Sequence, residues 1–191
     1  MKAVFDEFGL KCGFAIFRSD PLYRGYAEEG FEIMAHNVNA LSNADEATIR
    51  ASMQQGKGYV ESLGLICHGW VTPSSILQEQ HKPIVKDYFE YGFTTYKGNT
   101  PSDQTHTIST NSYALWRVHM KVLKDNYESI FANMIQNNGM VCVYGHSVEI
   151  TEDNEWRLID LRTILQYCVN NGIEVLTPYL SCLKLYSDIH N

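Results

Sequence analysis

Two histidines in this chain stand where chemistry is expected. The run Gly139-Met140-Val141-Cys142-Val143-Tyr144 is apolar and of strand length, and it stops at Gly145-His146-Ser147. A second apolar run, residues 31–35, stops at His36-Asn37. Imidazole changes charge near neutral pH, ligates metals through a neutral nitrogen and moves protons. A strand that delivers such a group from its C-terminal end is how α/β scaffolds build sites. His146 is the leading catalytic candidate. The plainer alternative is a loop histidine that hydrogen-bonds a neighbour, and what favours a site is the company offered by other strands.

That company is Trp70, Tyr96, Arg117 and Tyr144, each at or just past an apolar run, with Pro73 turning the segment Gly69-Trp70-Val71-Thr72-Pro73. If the strands are parallel, their C-terminal ends share one mouth, and His36, Trp70, Tyr96, Arg117 and His146 face one another there. The remaining histidines carry less. His81 falls in a helix, His106 in a polar loop, His119 just after a strand and His190 at the C-terminus, so each reads as exposed or locally satisfied, while His68 lies close to the mouth.

The elements that must position these groups follow from periodicity and punctuation. Residues 1–8 read as the end of a helix stopped by Gly9, residues 11–17 as a strand, and Asp20-Pro21 as the start of a helix that ends near Gly30. Strand 31–35 follows, then a long helix opening at Ser42-Asn43-Ala44-Asp45 and stopping at Gly64. Strand 65–68 leads to a helix from Ser74 or Ser75 to Tyr91, kinked or split by Pro83.

Strand 93–96 precedes a long polar loop, 97–112, of the kind reserved for binding. Strand 113–118 comes next, then a helix from the capping-box spacing Asp125-x-x-Glu128 to Gly139. After the strand that ends at His146 come an acidic loop (149–155), a helix (156–171), a last strand (173–177) and a terminal helix opened by Pro178. Strict alternation implies parallel strands joined by right-handed crossovers. About seven such strands without a Gly-x-Gly-x-x-Gly fingerprint predict a barrel-like closure rather than a dinucleotide-binding sheet.

Composition sets the outer bounds. A length of 191 residues with 45% hydrophobic and 19% charged residues is most economically one domain, 1–191, with a substantial core. The net charge of −7 excludes a phosphate-tracking nucleic-acid binder, which needs clustered Lys and Arg. Five cysteines, odd in number and without a Cys-x-x-Cys pair, read as reduced core thiols. No apolar run is long enough for a membrane span, and acidic residues interrupt the N-terminus where a signal peptide needs an apolar stretch, so a soluble chain is expected.

The segments Phe8-Gly9-Leu10-Lys11-Cys12-Gly13-Phe14-Ala15-Ile16, Gly30-Phe31-Glu32-Ile33-Met34-Ala35-His36-Asn37, Gly69-Trp70-Val71-Thr72-Pro73 and Tyr144-Gly145-His146-Ser147 together resemble the polysaccharide deacetylases with the NodB homology domain. That family has a distorted β/α barrel and removes acetyl groups from sugar polymers with a metal-activated water. The resemblance implies that His36 corresponds to the first metal histidine and His146 to the late histidine that acts as acid. It also implies acetylated polysaccharide or oligosaccharide as the partner; Trp70, Pro73, Tyr96 and Tyr144, and from strand order alone Arg117, are expected at the substrate cleft, because aromatic faces suit the apolar faces of sugar rings.

The departures matter as much. The family's second metal histidine, four residues after the first, is Ala40 here, and its arginine two residues before the proline is Val71. Its aspartate pair, on a strand preceding the first helix, has no counterpart, and Asp6 and Glu7 fall within that helix. A catalytic zinc needs three protein ligands, so no cofactor is expected unless a replacement set, for example Asp20 or Asp103 with His36 and His146, holds zinc or another divalent metal. Three readings result: a deacetylase-like domain without the metal chemistry that keeps a sugar-binding cleft, a hydrolase with recruited ligands, or a scaffold for assembly. A missing first strand would leave the edge of residues 11–17 bare, which predicts a homo-oligomer or a covered edge.

Overall fold

A computed structural model describes residues 1–73, 76–95, 104–107, 109–146 and 157–186. Helices and parallel strands alternate: α1 (Lys2–Glu7), β1 (Gly13–Ile16), α2 (Pro21–Glu28), β2 (Glu32–His36), α3 (Glu46–Glu61), β3 (Gly69–Val71), a 3-10 helix (Glu79–Asp87) and β4 (Tyr91–Phe93). Then come β5 (Val118–His119), α4 (Met120–Gln136), β6 (Val143–Tyr144), α5 (Leu158–Asn170) and α6 (Pro178–Tyr186). β1 to β4 form one parallel sheet in chain order, β5 and β6 a second, and a parallel bridge from Phe93 to Leu115 joins them.

Of the expected barrel of about seven strands, the described residues form six strands, in two small parallel sheets. Residues 173–177, expected as the last strand, pair with no described strand, and the ladders of β5 and β6 are shorter than the apolar runs that contain them. A strand exists only where a neighbour accepts its hydrogen bonds, which no apolar run can announce by itself.

Other differences have local causes. Pro83 lies inside the segment expected as an α-helix; it lacks the N–H for an i to i−4 bond, and the segment winds as a 3-10 helix instead. α4 begins at Met120 and not at the Asp125 box, because the imidazole of His119 accepts the Lys121 N–H at 3.1 Å and caps the helix first. Asp20 is the N-cap of α2, accepting from the Leu22 N–H at 3.0 Å. Gly9, Gly30, Gly64 and Gly172 sit at positive φ past helix ends, as their placement in the sequence predicts.

Period-two alternation along the strands separates two cores. Ile33, Ala35 and Trp70 point to one side, where they pack with Ile49, Met53 and Val60 of α3 and with Val85 and Phe89. Met34, Val71, Tyr91, Phe93 and Leu115 point to the other, inner side, with Met140 and Cys182 of α6. A third cluster, built on Phe5, Val118, Leu123, Ile130, Phe131 and Leu165, ties α1, α4 and α5 together. Each fully buried side chain of this kind stabilises the fold by about 1.5–3 kcal/mol.

One buried carboxylate fastens the inner face at its lower end. Glu32 accepts the Tyr91 hydroxyl at 2.5 Å and the Tyr179 N–H at 2.7 Å, joining β2, β4 and the first turn of α6. Gly69 is required here: a Cβ would enter the ring of Tyr91, which crosses over it to reach Glu32. Burial pushes the Glu32 carboxyl above its ordinary range, opposed by the hydrogen bonds from Tyr91 and Tyr179.

Candidate functional site

The parity that puts Met34 on the inner face puts His36 there too, at the opposite end of β2 from Glu32. Register then brings Val71 beside His36 and Tyr144 beside His119. Val118 packs outward against α4 and α5, so its neighbours Arg117 and His119 face inward, and Cys142 and Tyr144 do the same on the β6 side. His36, Phe93, Arg117, Tyr144 and His146 line one open cavity of about 1550 Å³. Of the five residues expected to face one another, His36, Trp70, Tyr96, Arg117 and His146, this cavity is lined by His36, Arg117 and His146.

α3 sets the position of His36 through a small residue. A Cβ on Gly56 would stand 2.9 Å from Asn37 Oδ1, 3.3 Å from the His36 carbonyl and 3.4 Å from Ala35 Cβ, so only glycine lets the helix lie this close to the end of β2. Asn37 in turn accepts the Trp70 indole N–H at 3.3 Å. His36 Nδ1 lies 2.7 Å from the Val71 carbonyl, which fixes the tautomer with Nδ1 as donor and leaves Nε2 as the acceptor or ligand. Burial pushes the His36 imidazole below its ordinary value, the Val71 carbonyl pulls it up, and the nearby Arg117 and His146 push it down again.

Arg117 is held by rings. Its guanidinium carbon is 4.5 Å from the centroid of Tyr144 and 5.5 Å from that of Phe93, an arrangement in which the ring faces attract the cation. Burial lowers its pKa to about 10. Tyr144 stands edge-on to both His119 and His146, at 4.8 Å and 5.7 Å between centroids, and the two imidazoles are 6.1 Å apart.

Two expected site residues, Trp70 and Pro73, are placed otherwise. Trp70 is the register partner of Ala35, so it faces α3; it is 0% exposed and stacks on Phe89 at 6.3 Å. Pro73 is buried and is not among the residues that line the cavity. Tyr96 lies outside the described residues, as do Asp103 and the acidic loop 149–155. Asp20 is engaged as the cap of the helix that begins at Pro21. His106, expected exposed or locally satisfied, is 0% exposed, with Nε2 at 2.9 Å from the Trp116 carbonyl.

Sequence reasoning passed over Phe93 and His119. Both sit at the ends of short strands on the inner face, and their signal was position: two residues past Arg117 for His119, and the C-terminal residue of β4 for Phe93. The residues fit a metal poorly. Among the described residues no group of three His, Cys, Asp or Glu side chains is arranged to hold an ion, and Ala40 stands where the resemblance calls for a ligand.

No family model and no curated protein matches the chain in sequence. Solved structures do match. The CE4 domain of a multidomain xylanase from the hindgut metagenome of Trinervitermes trinervoides aligns with 96% of this chain and 82% of its own, at 14% identity and a TM-score of 0.58. A peptidoglycan N-acetylglucosamine deacetylase aligns with 97% of this chain and 79% of its own, at 15% identity and a TM-score of 0.60. A CE4 family pseudoenzyme from Bacillus anthracis aligns with 94% of this chain, which spans 58% of that protein, at 10% identity and a TM-score of 0.58. The parallel α/β architecture thus has its likeness in solved proteins: the chain has the fold of the CE4 deacetylases, the NodB-like fold.

Proposed function

We propose that residues 1–191 form one glycan-binding domain on the deacetylase fold. Its mouth, formed by His36, Phe93, Arg117, Tyr144 and His146, engages acetylated polysaccharide or oligosaccharide without a resident catalytic metal. The observation that carries this reading is the chemistry at the strand ends. Rings and cations stand at the mouth of this chain, where a deacetylase of the resembled family has two aspartates and a second histidine. Flat rings around an open cavity suit sugar faces, and His36 and His146 supply hydrogen bonds. The CE4 fold is shared by named deacetylases and by a named pseudoenzyme, so the fold accommodates both outcomes.

The second reading is a metal-dependent deacetylase with recruited ligands, and one observation favours it: the Val71 carbonyl holds His36 in the tautomer that offers Nε2 to a ligand. Calorimetry separates the two. Titration with N,N′,N″-triacetylchitotriose is expected to show binding that weakens in His146→Ala, and titration with zinc to show none. Tight one-to-one zinc binding that His36→Ala abolishes, together with acetate release from the trisaccharide, would overturn the proposal in favour of the hydrolase. Absence of binding to the trisaccharide and to acetylated xylotriose would overturn both and leave the scaffold reading, whose own mark is a homo-oligomer through the edge of β1 opposite β2, measured by sedimentation.

A further inference from the structure

The tripeptide Asn-Asn-Gly occurs twice in this chain, at 137–139 and 170–172, and each copy ends a helix. Asparagine is thermolabile, and most so before glycine, whose backbone nitrogen has no Cβ beside it to hinder attack on the asparagine side-chain amide. By sequence the two copies are equivalent. The way each helix ends makes them different.

α4 and α5 close with the same pair of backbone hydrogen bonds around one residue at positive φ, but the tripeptide is set one residue further out on α4. There Asn138 is the residue at positive φ, 47°, and the Gly139 N–H makes the outer bond of the pair, to the Met134 carbonyl at 2.9 Å. On α5 Gly172 is at positive φ, 64°, so the outer bond, 2.9 Å to the Cys168 carbonyl, belongs to Ile173. The Gly172 N–H makes only the inner bond, to the Val169 carbonyl at 3.3 Å. The nitrogen that must attack is firmly engaged at Gly139 and loosely at Gly172.

The surroundings act in the same direction. Closing a ring between the two residues requires the Asn–Gly backbone to turn. Gly139 lies against the His106 backbone, where a Cβ would run into the carbonyl oxygen, and the next residue, Met140, exchanges two hydrogen bonds with His106 at 2.7 and 2.8 Å. A turn there breaks that bridge. A Cβ at Gly172 would meet nothing within 4 Å, and both Asn171 and Gly172 are exposed. The Asn171 amide donates to the Tyr167 carbonyl at 2.9 Å, an exposed bond for which water competes.

We infer that Asn171 is a site of spontaneous deamidation in the folded protein and that Asn138 is protected from it. The Gly172 nitrogen attacks Asn171 Cγ, and a new C–N bond closes a succinimide ring. The bond from Cγ to the amide nitrogen breaks, and ammonia leaves with the proton that Gly172 gave up. Water then opens the ring at either carbonyl, leaving aspartate or isoaspartate. The product places a negative charge at the C-terminal end of α5, where the helix dipole disfavours it. The inference is independent of the glycan-binding reading.

The test incubates the intact, unsubstituted protein at mildly alkaline pH and follows both asparagines by peptide mapping with mass spectrometry, beside a sample held unfolded in urea. In the folded protein Asn171 is expected to convert at least roughly fivefold faster than Asn138, the scale of one hydrogen bond that must open. In urea the two rates are expected to converge, because the same tripeptide is then free at both places.

Equal conversion of the two in the folded protein, or faster conversion of Asn138, would overturn the inference. So would a folded protein in which neither converts over the time that the urea sample does. The same ratio of rates in urea as in the folded protein would overturn it as well, since the difference would then come from flanking residues and not from how α4 and α5 end.

Discussion

Gly56 and Gly58 lie two residues apart on α3, and the structure gives their replacement by alanine opposite signs. Alanine is favoured over glycine in a helix interior by about 1 kcal/mol. At Gly58 a Cβ meets nothing within 4 Å, so Gly58→Ala is expected to stabilise by about that amount. At Gly56 the same gain is set against a Cβ 2.9 Å from Asn37 Oδ1 and 3.3 Å from the His36 carbonyl. Overpacking of this kind costs about 1–3 kcal/mol, so Gly56→Ala comes out between neutral and about 2 kcal/mol destabilising, and the pair differs by about 1–3 kcal/mol. For a chain of this length each kcal/mol moves Tm by about 2–4 °C, so a thermal melt resolves the difference.

The assay has a second readout, because the atoms in the way are at the site. Asn37 must shift, its hydrogen bond from Trp70 lengthens, and the His36 ring moves relative to Val71. His36 imidazole resonances are expected to move in Gly56→Ala and to stay in Gly58→Ala, with glycan affinity following the resonances. If Gly56→Ala melts at or above Gly58→Ala with His36 unmoved, the close approach of α3 to β2 is wrong, and with it this account of how His36 is positioned.

Other expectations concern the buried groups. Glu32 has its pKa raised by burial, so the folded state binds its proton more tightly than the unfolded state. Its contribution is therefore fully present below its ordinary value of 4.5 and is lost as pH rises through the folded value; Glu32→Gln is expected to flatten that part of the profile of urea midpoint against pH. Trp70→Phe keeps most of the apolar volume but leaves Asn37 Oδ1 without its indole donor. A loss of about 1–3 kcal/mol is expected, with glycan affinity unchanged; a large change in affinity would return Trp70 to the site. The five thiols are free, and burial raises Cys12, Cys67 and Cys142 to about 12 and Cys168 to about 11. A thiol reagent at pH 8 is expected to react slowly with the folded chain and fast once it is unfolded in urea.

Much was legible in the sequence because it depended on local chemistry. Gly9, Gly30, Gly64 and Gly172 marked helix ends, Asp20 before Pro21 marked a start, and alternating apolar runs marked β2 and its neighbours. The terminal histidines of two such runs, His36 and His146, are at the mouth because a strand end is a property of the chain itself. The resemblance to the NodB-type deacetylases rested on the same segments, and the solved CE4 structures bear out the fold.

What only the tertiary structure decided was which way side chains point and what lies beside them. Trp70 and Arg117 were equal candidates by position, yet strand register assigns Trp70 to the α3 side beside Ala35 and Arg117 to the cavity. A one-residue shift in register would exchange the two faces, and register is fixed by neighbouring strands that a linear pattern does not name. His119 became a cap for α4 and a neighbour of Tyr144 through pairing between β5 and β6, which lie more than twenty residues apart. The sequence could determine that this chain holds imidazoles, a guanidinium and rings near strand ends; the parity of pairing between distant segments decided which of them meet.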